Sequence, residues 1–109
     1  METITYDEFK KMDIRIGTIK QVEPIEGTDK LLKCQIDFGE PELRQIVSGI
    51  REYYPEYESL VGKQVLYIVN LEPREIRGNM SHGMLMAVGN DKPIFLVPEK
   101  PVDAGSKVR

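Results

Sequence analysis

The spacing of apolar residues changes period several times along the chain. In TYDEFKK, Thr5 stands three residues before Glu8, the spacing of a capping box, and Tyr6, Phe9 and Met12 recur at every third position. This predicts a short N-terminal helix of about two turns with one apolar face. From Asp13 the period drops to two. Ile14, Ile16 and Thr18 alternate with Arg15, Gly17 and Ile19, which predicts a strand that bends near the glycine. Beyond Pro24 and Gly27, Leu32, Cys34, Ile36 and Phe38 alternate without a break with Lys33, Gln35 and Asp37, the clearest strand in the chain. Gly39-Glu40-Pro41 interrupts the pattern, and LRQIVSG predicts a third strand. REYYPEYESL reads as helical, with Pro55 tolerated only in a first turn. QVLYIVN is apolar on both faces and predicts a fourth strand covered on both sides, with GMLMAVG as a fifth. RGNMSHG, just before it, predicts a loop with more glycine and polar donors than a simple connection needs. PIFLVP and the tail through Val108 add short extended segments.

Three strands, a helix and two more strands, with no repeat and no linker, is the order of a small Greek-key barrel. The expected fold is all-β with short helices, a five-stranded Greek-key barrel of the oligonucleotide- and oligosaccharide-binding type (OB-fold). One domain spans 1–109, with an N-terminal helix at 1–12, the barrel at 13–90 and a C-terminal extension at 91–109. Helix and extension are not needed to close the barrel. The apolar spacing on the helix and the run Ile94-Phe95-Leu96-Val97 suit a subunit contact, the alternative being that both pack on their own barrel.

At 109 residues, 40% apolar and 30% charged, the chain has the composition of one globular domain. No apolar run approaches the ~18 residues of a membrane span, and METITYDEFKK lacks the apolar core of a signal peptide. Cys34 is the only cysteine, so no internal disulfide can form and a reducing, cytoplasmic setting fits. Met1 and the short lead into the first strand favour a complete chain. The formal charge of −3, from 15 basic and 18 acidic residues, argues weakly against a nucleic-acid partner when taken alone. One histidine and one cysteine leave no nucleophilic triad to assemble, and Cys34 alternates inward as an inert core thiol. No His/Cys cluster has metal-ligand spacing, and no glycine-rich phosphate cradle is present. The expectation is a binding protein, not an enzyme, without metal or cofactor.

The segments DIRIGTI, TDKLL, RQIVSGI, VGKQV, NLEPREIRGNMSHGM and the closing GSKVR resemble the tRNA-binding domain of methionyl-tRNA synthetases. The free-standing dimeric tRNA-binding proteins, of methionyl-tRNA synthetase β-subunit type, belong to the same family. The resemblance runs from about Phe9 to Arg109 and is most specific from Asn70 to Met84. It implies structure-dependent recognition of tRNA at its outer corner, without anticodon reading and without catalysis, in support of aminoacylation. It also implies a homodimer joined through the N-terminal helix and the C-terminal extension, with Phe9, Ile94, Phe95 and Val97 as interface residues. An aminoacyl-tRNA synthetase is a further possible partner. The tRNA contacts it implies fall on Lys30, Asn70, Arg74, Ser81 and Met84; Arg44 and Arg77 join them from charge and position. The chain departs from the family's pattern where Pro-Ile-Glu-Gly-Thr precedes Asp29, which puts one polar contact of the first loop in doubt. His82, at a variable position, has no assigned role. A second branch of the superfamily, described as chaperones, lacks the Ser-x-Gly-Met block, so the chain sides with the tRNA-binding branch.

Each of these residues has a structural alternative. Lys30 follows a turn, as many solvated lysines do. Arg74 and Arg77 sit beside Glu72 and Glu75, so a phosphate role requires the arginines to point together and the glutamates away. Asn70 could cap backbone as well as meet a phosphate. Ser81 could donate to a phosphate or a ribose 2′-hydroxyl. Met84 could touch an unstacked base or fill the core beside Met86. Arg44 could be taken up by Glu42. Gly78 and Gly83 flank the polar donors and would let backbone approach a phosphate, making the segment half binding rim and half barrel wall. The competing function is a protein-interaction or chaperone-like module holding extended peptide. A single-stranded nucleic-acid binder would want exposed aromatic platforms, whereas Phe38 and Tyr67 both point inward by their alternation.

Overall fold

The computed structural model describes all 109 residues. In chain order the elements are α1 (Tyr6–Lys10), β1 (Ile14–Pro24), β2 (Leu32–Asp37), β3 (Arg44–Ser48), β4 (Gln64–Ile68), β5 (Arg74–Ile76), β6 (Asn79–Ser81), β7 (Met84–Leu85), β8 (Ala87–Val88) and β9 (Ile94–Phe95). The main antiparallel sheet has the order β3-β2-β1-β4-β7 and curls into a nearly closed OB-like barrel. β1 makes this possible because it is long and bent. Its first half pairs with β4, Ile14 opposite Ile68, and its second half with β2, Pro24 opposite Leu32. An irregularity between Ile19 and Gln21 supplies the turn of direction, and a bulge of this kind sharpens strand twist. Gly17 lies where the wall is tightest: a Cβ there would overlap Ile36 and come within 2.7 Å of the Phe38 ring.

The alternating residues meet inside. Leu32, Cys34 and Ile36 from β2, with Phe38 just beyond it, face Ile46, Val65 and Tyr67, all buried, and Phe38 meets Tyr67 edge-on at 5.4 Å. Leu60 joins the same core with 1% of its surface exposed. Truncating such a side chain to alanine costs about 2–5 kcal/mol. Residues 105–108 run beside the first half of β1, where β2 does not reach. Ile16 N donates to Ser106 O (2.9 Å) and Val108 N to Ile14 O (2.8 Å).

Three local expectations are corrected. The helix over REYYPEYESL is two separate 3-10 turns, Arg51–Tyr53 and Tyr57–Leu60. Pro55 removes a donor and excludes the residue before it from helical backbone, and Tyr54 accordingly sits at φ −132°, ψ 70°. The fifth strand breaks after Leu85: β7 pairs with β4, whereas β8 turns away to pair with β9. The expected loop RGNMSHG is largely a hairpin. β5 and β6 pair through a two-residue turn in which Arg77 (φ 52°) and Gly78 (φ 79°) both have positive φ, the backbone that favours tight hairpins. The capping box of α1 is present, with Glu8 N donating to Thr5 Oγ1 at 3.1 Å and Thr5 N to Glu8 Oε1 at 3.1 Å. The helix is five residues long, shorter than its apolar spacing suggested, and none of its residues is buried.

Candidate nucleic-acid interface

The barrel is closed, and its outer face shaped, by the way the β5–β6 hairpin is moored to β3. Val47 N donates to the buried Ser81 Oγ (3.0 Å), His82 N to Gln45 O (2.9 Å) and Gln45 Nε2 to Met80 O (2.8 Å). A second row ties the hairpin to β2, where Lys33 Nζ reaches Asn79 Oδ1 (3.4 Å) and Glu23 Oε1 (3.2 Å). Between the moored hairpin, β3 and the β1–β2 loop lies an open depression of about 320 Å³. Leu31, Val47, Ile76 and Met84 line it, Ser48 and Gly49 edge one side, and Arg74 is the only charged residue on it. No carboxylate lines it. A smaller hollow of about 70 Å³, lined by Leu71, Glu72, Ser81 and Gly83 among others, adjoins it through Val47, Arg74, Ile76 and Met84.

The residues singled out from the sequence fall into three groups. Arg74 and Met84 lie together on the depression, and Lys30 adjoins it through Leu31. Met84 is 49% exposed, so it does not fill the core. Lys30 and Arg74 are exposed and take part in no salt bridge. Lys30 is held by its backbone, its N donating to Thr28 Oγ1 (3.1 Å) and its carbonyl accepting from Arg51 N (3.1 Å). Arg77 stands at the hairpin tip, exposed and outside any salt bridge. Arg74 and Ile76 both line the depression while Glu75, between them on β5, does not; Glu72 faces only the smaller hollow.

Ser81, Asn70 and Arg44 are committed to the protein. The Ser81 hydroxyl accepts from Val47 N and donates to Gly83 O at 3.3 Å. Asn70 Oδ1 accepts from Asp13 N (2.9 Å) and its Nδ2 donates to Lys11 O (2.6 Å), clamping the α1–β1 junction. Arg44 pairs with Glu40, not Glu42, at 2.7 Å, donates to Val69 O (2.7 Å) and His82 O (3.2 Å), and lies over the Phe38 ring. It lines a separate depression of about 750 Å³ that also includes Glu40, Glu42 and Leu43. Gly83 likewise serves packing: a Cβ there would lie 2.9 Å from Ile68 O. Sequence reasoning missed Leu31, Ile76 and Gly49; their only signal was proximity in the chain to Lys30, Arg77 and the third strand.

Titration is perturbed away from this face. Burial pushes the Cys34 thiol up to about 12 and raises the Tyr67 phenol. The Arg15 hydrogen bond, at 2.8 Å, holds the Asp13 carboxyl below its usual value.

A family model described as "Putative tRNA binding domain" matches residues 14–107. The chain belongs to the tRNA-binding domain family. A methionine–tRNA ligase of Methanocella arvoryzae is 48% identical over 106 residues, 97% of this chain and 15% of that protein. The chain therefore spans only 15–16% of the length of the curated relatives it matches. Among solved structures, a MetRS-related protein from Pyrococcus horikoshii superposes with a TM-score of 0.90 at 37% identity, covering 100% of both chains. The chaperone CsaA from Bacillus anthracis follows with a TM-score of 0.88 at 25% identity, covering 99% of this tRNA-binding domain and 100% of CsaA. No helix is long and apolar enough to cross a membrane.

Proposed function

We infer that this chain is a non-catalytic module that binds folded RNA of the tRNA type, by shape and phosphate contact, across the face between the β1–β2 loop and the β5–β6 hairpin. The observation that carries this is Arg74, exposed and free of any salt bridge on a depression that no carboxylate lines, with Lys30 next in the chain to its Leu31 wall and Arg77 next to its Ile76 wall, both likewise exposed and outside any salt bridge. The net charge of −3 does not oppose it, because acidic groups more than a Debye length of ~8 Å away are largely screened. Three to five phosphate contacts, each with a log–log salt slope of roughly −0.7 to −0.9, would weaken binding about 20- to 500-fold between 50 and 200 mM salt.

The module acts in the cytoplasm as a homodimer serving a methionyl-tRNA synthetase. Supporting the dimer, Ile94 (56% exposed) and Val97 (58%) project beside the stacked Tyr54–Phe95 pair. α1 also exposes Tyr6, with Phe9 half covered. Two barrels on one tRNA would multiply the contacts through a high effective concentration. The synthetase link rests on the relatives at 48% identity.

The test is a fluorescence titration of the chain with unfractionated tRNA, single-stranded DNA and duplex RNA at two salt concentrations, with Arg74→Ala alongside and light scattering for subunit number. Salt-sensitive, saturable binding of tRNA, weakened in the variant with a shallower salt slope, is expected. Indifference to all three nucleic acids at low salt refutes it. A peptide-holding, chaperone-like role is the second reading, favoured by the fit to CsaA and by the depression's apolar floor. It would show as binding of an unfolded polypeptide that survives Arg74→Ala.

A further inference from the structure

Gly49 is the residue on this face that the fold leaves unexplained. Its φ lies outside the positive region, and a Cβ built on it would meet only Leu31 Cδ2 at 3.9 Å and Lys30 O at 4.0 Å, ordinary contacts. Any small side chain would therefore fit the backbone. The β2–β3 ladder runs from Ile36 opposite Arg44 to Leu32 opposite Ser48, and the next bond across this gap is Arg51 N to Lys30 O. Gly49 is skipped: neither its N–H nor its C=O makes a hydrogen bond within the chain, and the residue is exposed. An unused donor and acceptor thus belong to one exposed residue in the lining of an apolar hollow that also includes Met84 and an arginine outside any salt bridge.

We propose that this depression is a subsite for one unstacked nucleobase of the bound RNA, its face against Met84 and Leu31, its polar edge on the Gly49 backbone and its phosphate toward Arg74. The proposal rests on the RNA-binding role inferred above and names what that face selects: a fold that offers a base out of the stack, as opposed to a fully paired duplex. The volume of about 320 Å³ is at the small end of ligand sites, suited to a flat group. No aromatic lines the hollow, so the contact is thioether and methyl against the base face and tolerates any base; a backbone N–H and C=O pair can bond any base edge. Glycine at 49 keeps the mouth open. The occupant is assigned to RNA and not to an apolar peptide side chain because the one charge lining the hollow is a cation, and the nearest lining carboxylate, Glu72, belongs to the adjoining hollow.

The experiment compares the full chain with Gly49→Ala, Gly49→Val and Met84→Ala. Each is titrated from low to moderate salt with unfractionated tRNA, a perfectly paired RNA hairpin, and the same hairpin carrying one bulged nucleotide. Melting curves confirm folding. Met84 is exposed, so Met84→Ala folds even if the larger side chain at 49 disturbs the strand end. Native protein should prefer the bulged hairpin to the paired one. Met84→Ala should lose roughly two- to tenfold in affinity, the range of a sulfur–ring contact. Gly49→Val should lose more and Gly49→Ala little, all without a change in salt slope, because a base contact releases no counterions. The proposal alone is overturned by tRNA binding untouched by Gly49→Val and Met84→Ala, or by losses accompanied by a shallower salt slope. Loss, in these variants, of binding to an unfolded polypeptide only also overturns it and would assign the hollow to peptide. Failure of the native chain to bind tRNA refutes the parent role and this subsite with it.

Discussion

Replacing Ser81 by alanine separates two accounts of a residue that the family resemblance marks as a tRNA contact. In the structure its hydroxyl is buried, 3.0 Å from Val47 N and 3.3 Å from Gly83 O. It stands where β3 and β6 meet to close the barrel. Ser81→Ala removes the acceptor and leaves the Val47 N–H buried without a partner, a loss of about 1–3 kcal/mol. For a domain near this size each kcal/mol lowers Tm by roughly 4–8 °C, so a 2 kcal/mol loss predicts a fall of about 8–16 °C. Guanidinium denaturation followed by circular dichroism should show a lower midpoint at unchanged slope. Arg74→Ala, exposed and outside any salt bridge, is the control that should melt as the native chain does. Weaker tRNA binding by Ser81→Ala would then follow from a displaced hairpin. If Ser81→Ala melts like the native chain yet loses tRNA, the reasoning fails. The hydroxyl must then leave Val47 to meet the RNA.

Other expectations follow from the same geometry. Arg44→Ala should destabilise by about 1–2 kcal/mol through loss of charge-assisted bonds, and Arg44→Lys should not restore it, since one ammonium cannot reproduce the fork to Glu40 and Val69 O. Chemical melts of the three proteins decide this. Cys34, with its thiol pushed up to about 12 by burial, should resist an aromatic disulfide reagent at pH 8 until denaturant is added. Prompt reaction of the native chain would mean the barrel opens readily. The carboxyl of Asp13 is held below 3.8, so its contribution is present above that pH and lost as pH falls through the lower native value. In Asp13→Asn, the acid side of the stability profile should be shallower, as read by melting temperature between pH 2 and pH 6.

The barrel was legible in the sequence because its strands alternate, most cleanly from Leu32 to Phe38, where every second residue is buried. What failed were features set by backbone conformation. REYYPEYESL reads as helical only with Pro55 in a first turn, but Pro55 lies between two 3-10 turns and divides the segment. RGNMSHG reads as a loop from its glycines and polar residues; the hairpin turn depends on an arginine at positive φ, an uncommon conformation of which hydrophobic pattern carries no trace. Among the site residues, Arg74 and Met84 could be placed on an open face. The inward turn of Ser81, and the uptake of Asn70 and Arg44 by backbone carbonyls, depend on partners 25 to 59 residues away, and only Glu40 stands close in the chain to Arg44. Side-chain type alone cannot reveal such pairings.

The last residues of the chain complete the first strand. Ile14 and Ile16 precede the rest of the barrel in the chain, yet their partners are Ile68 and Leu66 on one side and residues 105–108 on the other. The β1–β2–β3 meander can assemble early and locally, but the first half of β1 waits for nearly the whole chain. Contacts so distant in sequence slow folding and make it cooperative at its end. During that interval the chain carries an open, isoleucine-lined strand edge, the kind that recruits another copy. Clipping the last five residues would leave that edge permanently bare, turning a late folding step into a standing tendency to aggregate.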